Sequence, residues 1–242
     1  VARIDNGGYL HAPYGLNIAT SGDNPDAAVV QVVGTDAGGT PSALSFGNKP
    51  LQVAGKVSQF NYPRHGRLEV LDGGTVTAEN FSGTEFHVGY ADADTVGRAV
   101  IAGANARFYN AGTDYAFATR IGWAGHGIGC LSVTNGGTLC ATNKAGTALF
   151  DVRNGTVTLD SGGTILTDRL TLPYASGTFD FRGGTLDTRH AWVSNGTAFV
   201  VGDGATAATL ALRGGTNVFA HGCVIREAGA LTGSGTILGT VT

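Results

Sequence analysis

Gly129-Cys130-Leu131-Ser132-Val133-Thr134-Asn135-Gly136-Gly137-Thr138-Leu139 contains a strand, a corner and the start of a second strand. Apolar and polar residues alternate from Leu131 to Thr134. A strand built here turns Leu131 and Val133 to one face and Ser132 and Thr134 to the other. Asn135-Gly136-Gly137 then interrupts the alternation. Gly supplies the positive φ that a tight corner needs, and a small polar residue suits the position beside it. Thr138-Leu139 begins a second short strand beyond the corner.

The unit recurs. Leu68-Glu69-Val70-Leu71-Asp72-Gly73-Gly74-Thr75-Val76 repeats it, as does Val157-Thr158-Leu159-Asp160-Ser161-Gly162-Gly163-Thr164-Ile165. Phe179-Asp180-Phe181-Arg182-Gly183-Gly184-Thr185-Leu186 and Leu210-Ala211-Leu212-Arg213-Gly214-Gly215-Thr216 repeat it one residue shorter. Gly-Gly-Thr occurs six times, from Gly38, Gly73, Gly136, Gly162, Gly183 and Gly214, where composition alone gives roughly one. A longer echo carries Val88-Gly89-Tyr90 and Gly97-Arg98-Ala99-Val100-Ile101 onto Ile121-Gly122-Trp123 and Gly129-Cys130-Leu131-Ser132-Val133. With Gly103-Ala104-Asn105 as a degenerate copy, corners fall near residues 7, 38, 73, 104, 136, 162, 183, 214 and 233.

A repeat of this kind sets the architecture. The expected fold is all-β: a right-handed parallel β-helix, or β-solenoid, of about eight or nine coils. Gly-Gly between strands is also a hairpin signal, so an antiparallel β-sandwich or barrel is the alternative. Steps of about 20 to 35 residues leave room for several short strands per coil, and like residues recur at equivalent places; both favour the parallel stack. Residues 66–242 carry the repeat regularly. Residues 1–65 hold five of the six prolines and carry it weakly, which predicts irregular N-terminal coils or a cap within one continuous domain. Residues 11–28 and 105–120 are expected to leave the coil as excursions.

Composition agrees with strands. Of 242 residues, 40 are Gly, 14% are charged and 42% are hydrophobic. Three Lys and four Glu leave few good helix formers. A disordered chain would be more charged and less apolar. The net charge is −3 and the twelve Arg are dispersed, which argues against a nucleic-acid partner and against a polybasic membrane patch. No apolar run approaches the ~20 residues of a spanning helix, so no membrane insertion is expected of this chain. Its start, Val1-Ala2-Arg3-Ile4, reads as that of a processed mature chain or a piece of a longer one.

Val88-Gly89-Tyr90, Ile121-Gly122-Trp123, the Gly129–Leu139 phrase and the closing Leu231-Thr232-Gly233-Ser234-Gly235-Thr236-Ile237-Leu238-Gly239-Thr240-Val241 together resemble the β-strand repeats of bacterial autotransporter passengers and related surface proteins. The resemblance covers about residues 66–242. It implies a right-handed β-helix exported to the bacterial cell exterior. The family's translocator barrel and sorting tail have no counterpart in this sequence.

The candidate site residues carry mainly structural weight. Gly73, Gly74, Gly136, Gly137, Gly162, Gly163, Gly183, Gly184, Gly214 and Gly215 are the expected corners. Asp92 and Asp94, two apart in a Gly/Ala-rich loop, are the candidates for a metal site, but they lack the series of acidic and backbone ligands of a calcium loop. The carboxylate pairs available for polysaccharide chemistry are Asp92 with Asp94, Asp151 with Asp160, and Asp180 with Asp187. His126 sits at a loop tip. His221 and Cys223 form a candidate nucleophile pair with no orienting third group. Cys130 and Cys140 flank one corner, where a disulfide and two buried thiols are both open; no Cys-His spacing matches zinc. Asn80, Asn154 and Asn195 head Asn-x-Ser/Thr sequons that the repeat itself generates. Tyr90, Tyr109, Tyr115, Trp123 and Trp192 are candidates for a sugar-stacking surface, although Tyr90 and Trp123 occupy equivalent places and suit a rung-to-rung ladder. No catalytic or cofactor-binding set emerges.

These readings predict a non-enzymatic extracellular structural protein whose open solenoid ends self-associate head to tail into a filament. An adhesin or passenger fragment presenting glycan- or cell-binding loops is the first alternative. A polysaccharide-active β-helix enzyme is the second.

Overall fold

A computed structural model of the protein describes residues 1–21, 28–55, 64–79, 84–90, 95–110, 117–123 and 126–242. The candidate metal residues Asp92 and Asp94, together with Asn80 and Tyr115, lie outside the described residues. Every regular element among the described residues is a β-strand, and none of them forms a helix long and apolar enough to cross a membrane.

The strands follow in a repeating order. The first set is β1 (Ala2–Ile4), β2 (Tyr9–Ala12) and β3 (Leu16–Ile18), with the short β4 (Thr20–Ser21) appended. Then come β5 (Val29–Val33), β6 (Ala43–Phe46) and β7 (Leu51–Val53), followed by β8 (Arg64–Leu71), β9 (Thr75–Ala78) and β10 (Phe86–Val88). Two further sets are β11 (Val96–Ala102), β12 (Arg107–Asn110), β13 (Ala118–Ile121) and β14 (Ile128–Thr134), β15 (Thr138–Ala141), β16 (Leu149–Val152). The later sets have fewer, longer strands: β17 (Gly155–Leu159) with β18 (Thr164–Leu172), and β19 (Gly177–Phe181) with β20 (Gly184–Val193). The last are β21 (Phe199–Val201) with β22 (Ala208–Phe219), and β23 (Cys223–Ile225) with β24 (Gly229–Leu238).

Each set pairs with the one before it. A first ladder runs β1-β5-β8-β11-β14-β17-β19, and β21 pairs with β23. A second runs β2-β6-β9-β12-β15-β18, and a third runs β3-β7-β10-β13-β16-β18. β18, β20 and β22 are long enough to pair along both the second and the third ladder, which joins these into one fourteen-stranded sheet. Pairing between named strands is parallel except for β4 with β8. Among the described residues, antiparallel contact is otherwise confined to the isolated Thr35–Pro41 bridge. The antiparallel sandwich or barrel does not describe this arrangement.

Alternation in the sequence becomes inside and outside. In the first ladder Leu68, Ala99, Leu131, Val157 and Phe179 stand in register and are all buried. In the second, Leu44, Val76, Phe108, Leu139, Ile165, Leu186 and Leu210 do the same. The inward column of the third is Leu51, Phe86, Thr119, Phe150, Leu170, Ala191 and Asn217. Each large apolar side chain removed from water this way stabilises the fold by about 1.5–3 kcal/mol before cavity terms. Residues 1–65 enter the same three ladders through β1 to β8.

The Gly-Gly corner has two parts with different physical reasons. At Asn135-Gly136 both residues take positive φ, 52° and 81°, the left-handed region that Gly and Asn tolerate. Gly137 then lies against the preceding rung: a Cβ there would stand 2.3 Å from the Ile101 carbonyl oxygen. The corners at Gly73-Gly74 and Gly162-Gly163 join the first ladder to the second in the same way, and Gly183-Gly184 leads from β19 into β20.

Two positions differ from the sequence alignment. Gly214-Gly215 lies inside β22, where the register with β20 shifts between Thr188 and Ala191, so it marks the bend between the second and third ladders. The matching first corner of that set is the 202–207 loop, where Asp203 Oδ1 accepts the N–H groups of Ala205 and Thr206 at 2.8 and 2.7 Å. Likewise Gly233 lies inside β24, opposite Leu212. A short phrase of alternating residues and glycines specifies a bend, not which bend, because all bends need the same backbone freedom. Within the segments 11–28 and 105–120, β3, β12 and most of β13 belong to the ladders, while residues 22–27 and 111–116 of the expected excursions lie outside the described residues.

Candidate functional site

Side chains that point outward from the third ladder should meet water, yet several do not. Gln52, His87, Arg120, Asp151, Thr171 and Trp192 stand in register on successive strands, on the face away from the core. His87 and Asp151 are only 4% and 3% exposed. Charged and polar groups buried this deeply need partners.

The partners come from the same rung and from its neighbours. His87 Nε2 lies 2.7 Å from Glu85 Oε2, and Arg120 Nη1 donates to the same carboxylate oxygen. Gln52 Nε2 lies 3.5 Å from His87 Nδ1. With Nε2–H donating to Glu85, Nδ1 is free to accept from Gln52; Arg120 Nη1 lies 3.2 Å from the same Nε2 and spends its N–H on Glu85. Burial pushes the His87 pKa down, and the Arg120 charge adds to this against the Glu85 hydrogen bond. Burial works against the Glu85 carboxylate, but the hydrogen bond from His87 and the charge of Arg120 outweigh it and hold its pKa below the usual value. One rung further, Arg153 Nε donates to Asp151 Oδ2 at 2.5 Å and Thr171 Oγ1 donates to Asp151 Oδ1 at 2.7 Å.

Aromatic rings close over this polar row. Tyr90 and Trp123 follow the ends of β10 and β13, and the structure brings them together edge to face with centroids 4.4 Å apart. The Tyr90 ring also lies 4.2 Å from the His87 ring. The Arg120 guanidinium sits 5.8 Å from the Tyr90 centroid and that of Arg153 5.1 Å from the Trp123 centroid. Cation, ring, ring and cation thus form a continuous stack along the ladder. Its polar groups engage one another, and its rings are covered by arginines.

The other candidate residues are dispersed. Asp180 pairs with Arg182 and Asp187 with Arg213, on strands of different ladders. Asp151 is on β16, whereas Asp160 sits at a corner with its Oδ1 accepting the Ser161 N–H at 2.6 Å. Cys130 and Cys140 are both free, on the outer faces of the first and second ladders. His221 is exposed in a turn while Cys223 is buried at the start of β23, so the pair shares no face. Burial pushes the Cys223 thiol up to about 11, the opposite of an activated nucleophile. Asn154 Nδ2 donates to the His126 and Gly127 carbonyls and Asn195 Nδ2 to that of Gly177, so both sequon amides are engaged. Tyr109 lines a groove of about 810 Å³ with Arg107, Asp72 and Cys140 on the second ladder. Among the described residues, no three His, Cys, Asp or Glu side chains converge as metal ligands.

Sequence reasoning missed Glu85, His87, Arg120 and Arg153. A signal for two of them was present. The echo that aligns Tyr90 with Trp123 also aligns His87 with Arg120, and these residues pair in register. No protein-family model matches the chain, and no curated protein and no solved structure is significantly similar to it.

Proposed function

We infer that this chain is a non-enzymatic structural element of a bacterial cell surface, a right-handed parallel β-solenoid that extends end to end into a rod or filament. The observation that carries the reading is the free parallel edge. β24 pairs with β22 along one side, and its residues from Thr232 to Thr236 are exposed, with Leu238 at 52%. Among the described residues β1, β2 and β3 likewise pair on one side only, with β5, β6 and β7. An unpaired edge presents a row of N–H and C=O groups that templates a further strand. Another length of chain or a second copy satisfies it equally, and either lengthens the stack. Right-handed winding is the hand that twisted strands favour in parallel connections. The sparse charge, the recurrent corners and the autotransporter-like phrases support a surface location.

The test is assembly of purified protein. Electron microscopy and sedimentation over a range of concentrations should show rods longer than one chain, with a meridional fibre reflection near 4.8 Å. Single particles of one rod length, about 43 Å for nine rungs, under all conditions would remove the end-to-end part of the reading.

A further inference from the structure

Trp192 differs from the stacked pair Tyr90 and Trp123. It stands in the outer column of His87, Arg120 and Asp151, three residues short of the place that Tyr90 and Trp123 take on their rungs; among the described residues no ring or guanidinium covers it, and it is 55% exposed. Its indole N–H donates to Ser194 Oγ at 3.1 Å, which fixes the ring without using either face. The ring borders an open groove of about 430 Å³ over β18, β20 and β22. Arg169 and Thr171 project into the groove from β18, His190 from β20, and Thr216 and Val218 from β22.

Arg169 brings a positive charge to the groove, and no carboxylate stands in its lining. Arg169 is exposed and makes no ion pair among the described residues. Arg189 lies across the rim, its guanidinium against Gly146, where a Cβ would meet Arg189 Nη1 at 2.2 Å. The Thr216 N–H donates to His190 Nδ1 at 3.2 Å, leaving Nε2 as a donor toward solvent. The acids around it are engaged elsewhere: Asp151 pairs with Arg153, Asp187 with Arg213, and the buried Asp168 accepts the Asn143 and Ala148 N–H groups and lies 3.9 Å from Arg213. Arg169 faces His190 directly, and Trp192 lies one diagonal away, about 8 Å between backbones from strand spacing and pleat repeat.

We propose that the outer face around Trp192 binds a carboxylate-bearing pyranose unit of an acidic glycan, its ring stacked on Trp192 and its carboxylate held by Arg169. The indole offers a flat face to the C–H side of a sugar ring. A guanidinium one diagonal away matches a carboxylate projecting from that ring and holds it through charge-assisted hydrogen bonds. Thr171 retains acceptor capacity for a sugar hydroxyl while donating to Asp151. Neutral sugars lack the group that Arg169 pairs with, so the site discriminates by charge. It lies on the side of the rod and stays available whether or not the ends assemble.

The test uses the full chain in a calorimetric titration. The probes are hyaluronan oligosaccharides of about six units, with carboxyl-reduced oligomers as neutral twins, and sialyllactose with lactose as a second pair. At least one acidic probe should bind, its neutral twin at least tenfold more weakly. Trp192→Ala and Arg169→Gln should each weaken binding at least tenfold with an unchanged unfolding midpoint, since both side chains are exposed. Trp192→Phe, which keeps a stacking ring, should restore most of the loss. Absence of binding by both acidic probes, equal binding of acid and neutral twin, or full binding by Trp192→Ala overturns the assignment.

Discussion

The Ile101 carbonyl oxygen sits where a side chain at Gly137 would begin, 2.3 Å from the position of a Cβ. The corner of one rung therefore rests directly on the strand beneath it, and the rung spacing there is set by backbone contact. Gly74 and Gly163 meet Val32 and Val133 carbonyls in the same way, at 2.1 and 2.3 Å.

Gly137→Ala should consequently lower the free energy of unfolding by about 2–4 kcal/mol, a backbone displacement that no side-chain rearrangement relieves. Gly38→Ala is the control, since its Cβ would meet only the Asp36 side chain at 3.3 Å; its effect should stay within about 0.5 kcal/mol. Urea unfolding monitored by circular dichroism measures both, and equal effects would show that the corner is not under contact.

The His87–Glu85 pair predicts a stepwise loss of stability in acid. The folded state holds His87 below its ordinary 6.5, so as pH falls through and below that value the unfolded chain takes up a proton that the folded one refuses. Glu85 is held below 4.5, so its contribution is present above that value and is lost as pH falls further. Unfolding free energies between pH 8 and 5 should fall in the parent and flatten in His87→Gln (buffer steps of about one unit suffice). The same slope in both proteins would assign the effect elsewhere.

Asn217 is fully buried in the third ladder's inward column, and neither its Oδ1 nor its Nδ2 has a hydrogen-bond partner. Its register neighbours are Ala191 and Ile237. Asn217→Val should raise the unfolding free energy by about 1–3 kcal/mol, because two unsatisfied polar atoms leave the core. A decrease in denaturant midpoint would mean that the amide is satisfied in solution.

Thiol reactivity should separate the cysteines. Cys130 and Cys140 are partly exposed and free, whereas Cys223 is buried with its thiol pushed up to about 11. A chromogenic disulfide reagent at neutral pH should titrate Cys130 and Cys140 in the native protein and reach Cys223 only after unfolding. Fast reaction in a protein with only Cys223 left would contradict its burial.

Asp168 anchors a loop from within. It is 2% exposed and accepts the Asn143 and Ala148 N–H groups at 2.8 and 3.3 Å. Asp168→Ala leaves both donors without it and should cost about 2–3 kcal/mol. Thermal unfolding of Asp168→Ala and Asp168→Asn tests this; the asparagine, which retains an acceptor oxygen, should lose less.

The strands were legible because period-two alternation is a local property. Leu131 and Val133 announce an inner face and Ser132 and Thr134 an outer one without knowledge of any partner. Corners were legible for the same reason, through Gly and Asn at positive φ. Which corner was which was not legible at Gly214, since Leu210-Ala211-Leu212 has the same pattern on the second ladder that Leu131-Ser132-Val133 has on the first. The outer row was illegible for a different reason. His87, Arg120 and Asp151 are single polar residues about 31 to 33 positions apart, and only stacking makes them neighbours.

Short strands, turns at glycine corners and the apolar inward residues of each strand follow from the sequence alone; the inward Thr119 and Asn217 do not. The former are consequences of backbone sterics and of apolar spacing within a few residues. Stacking settled which residues meet across rungs: parallel ladders bury His87 beneath Tyr90, join Thr171 to Asp151, and leave the face of Trp192 open beside Arg169. Register between distant rungs fixes these outer contacts, and no single rung encodes it.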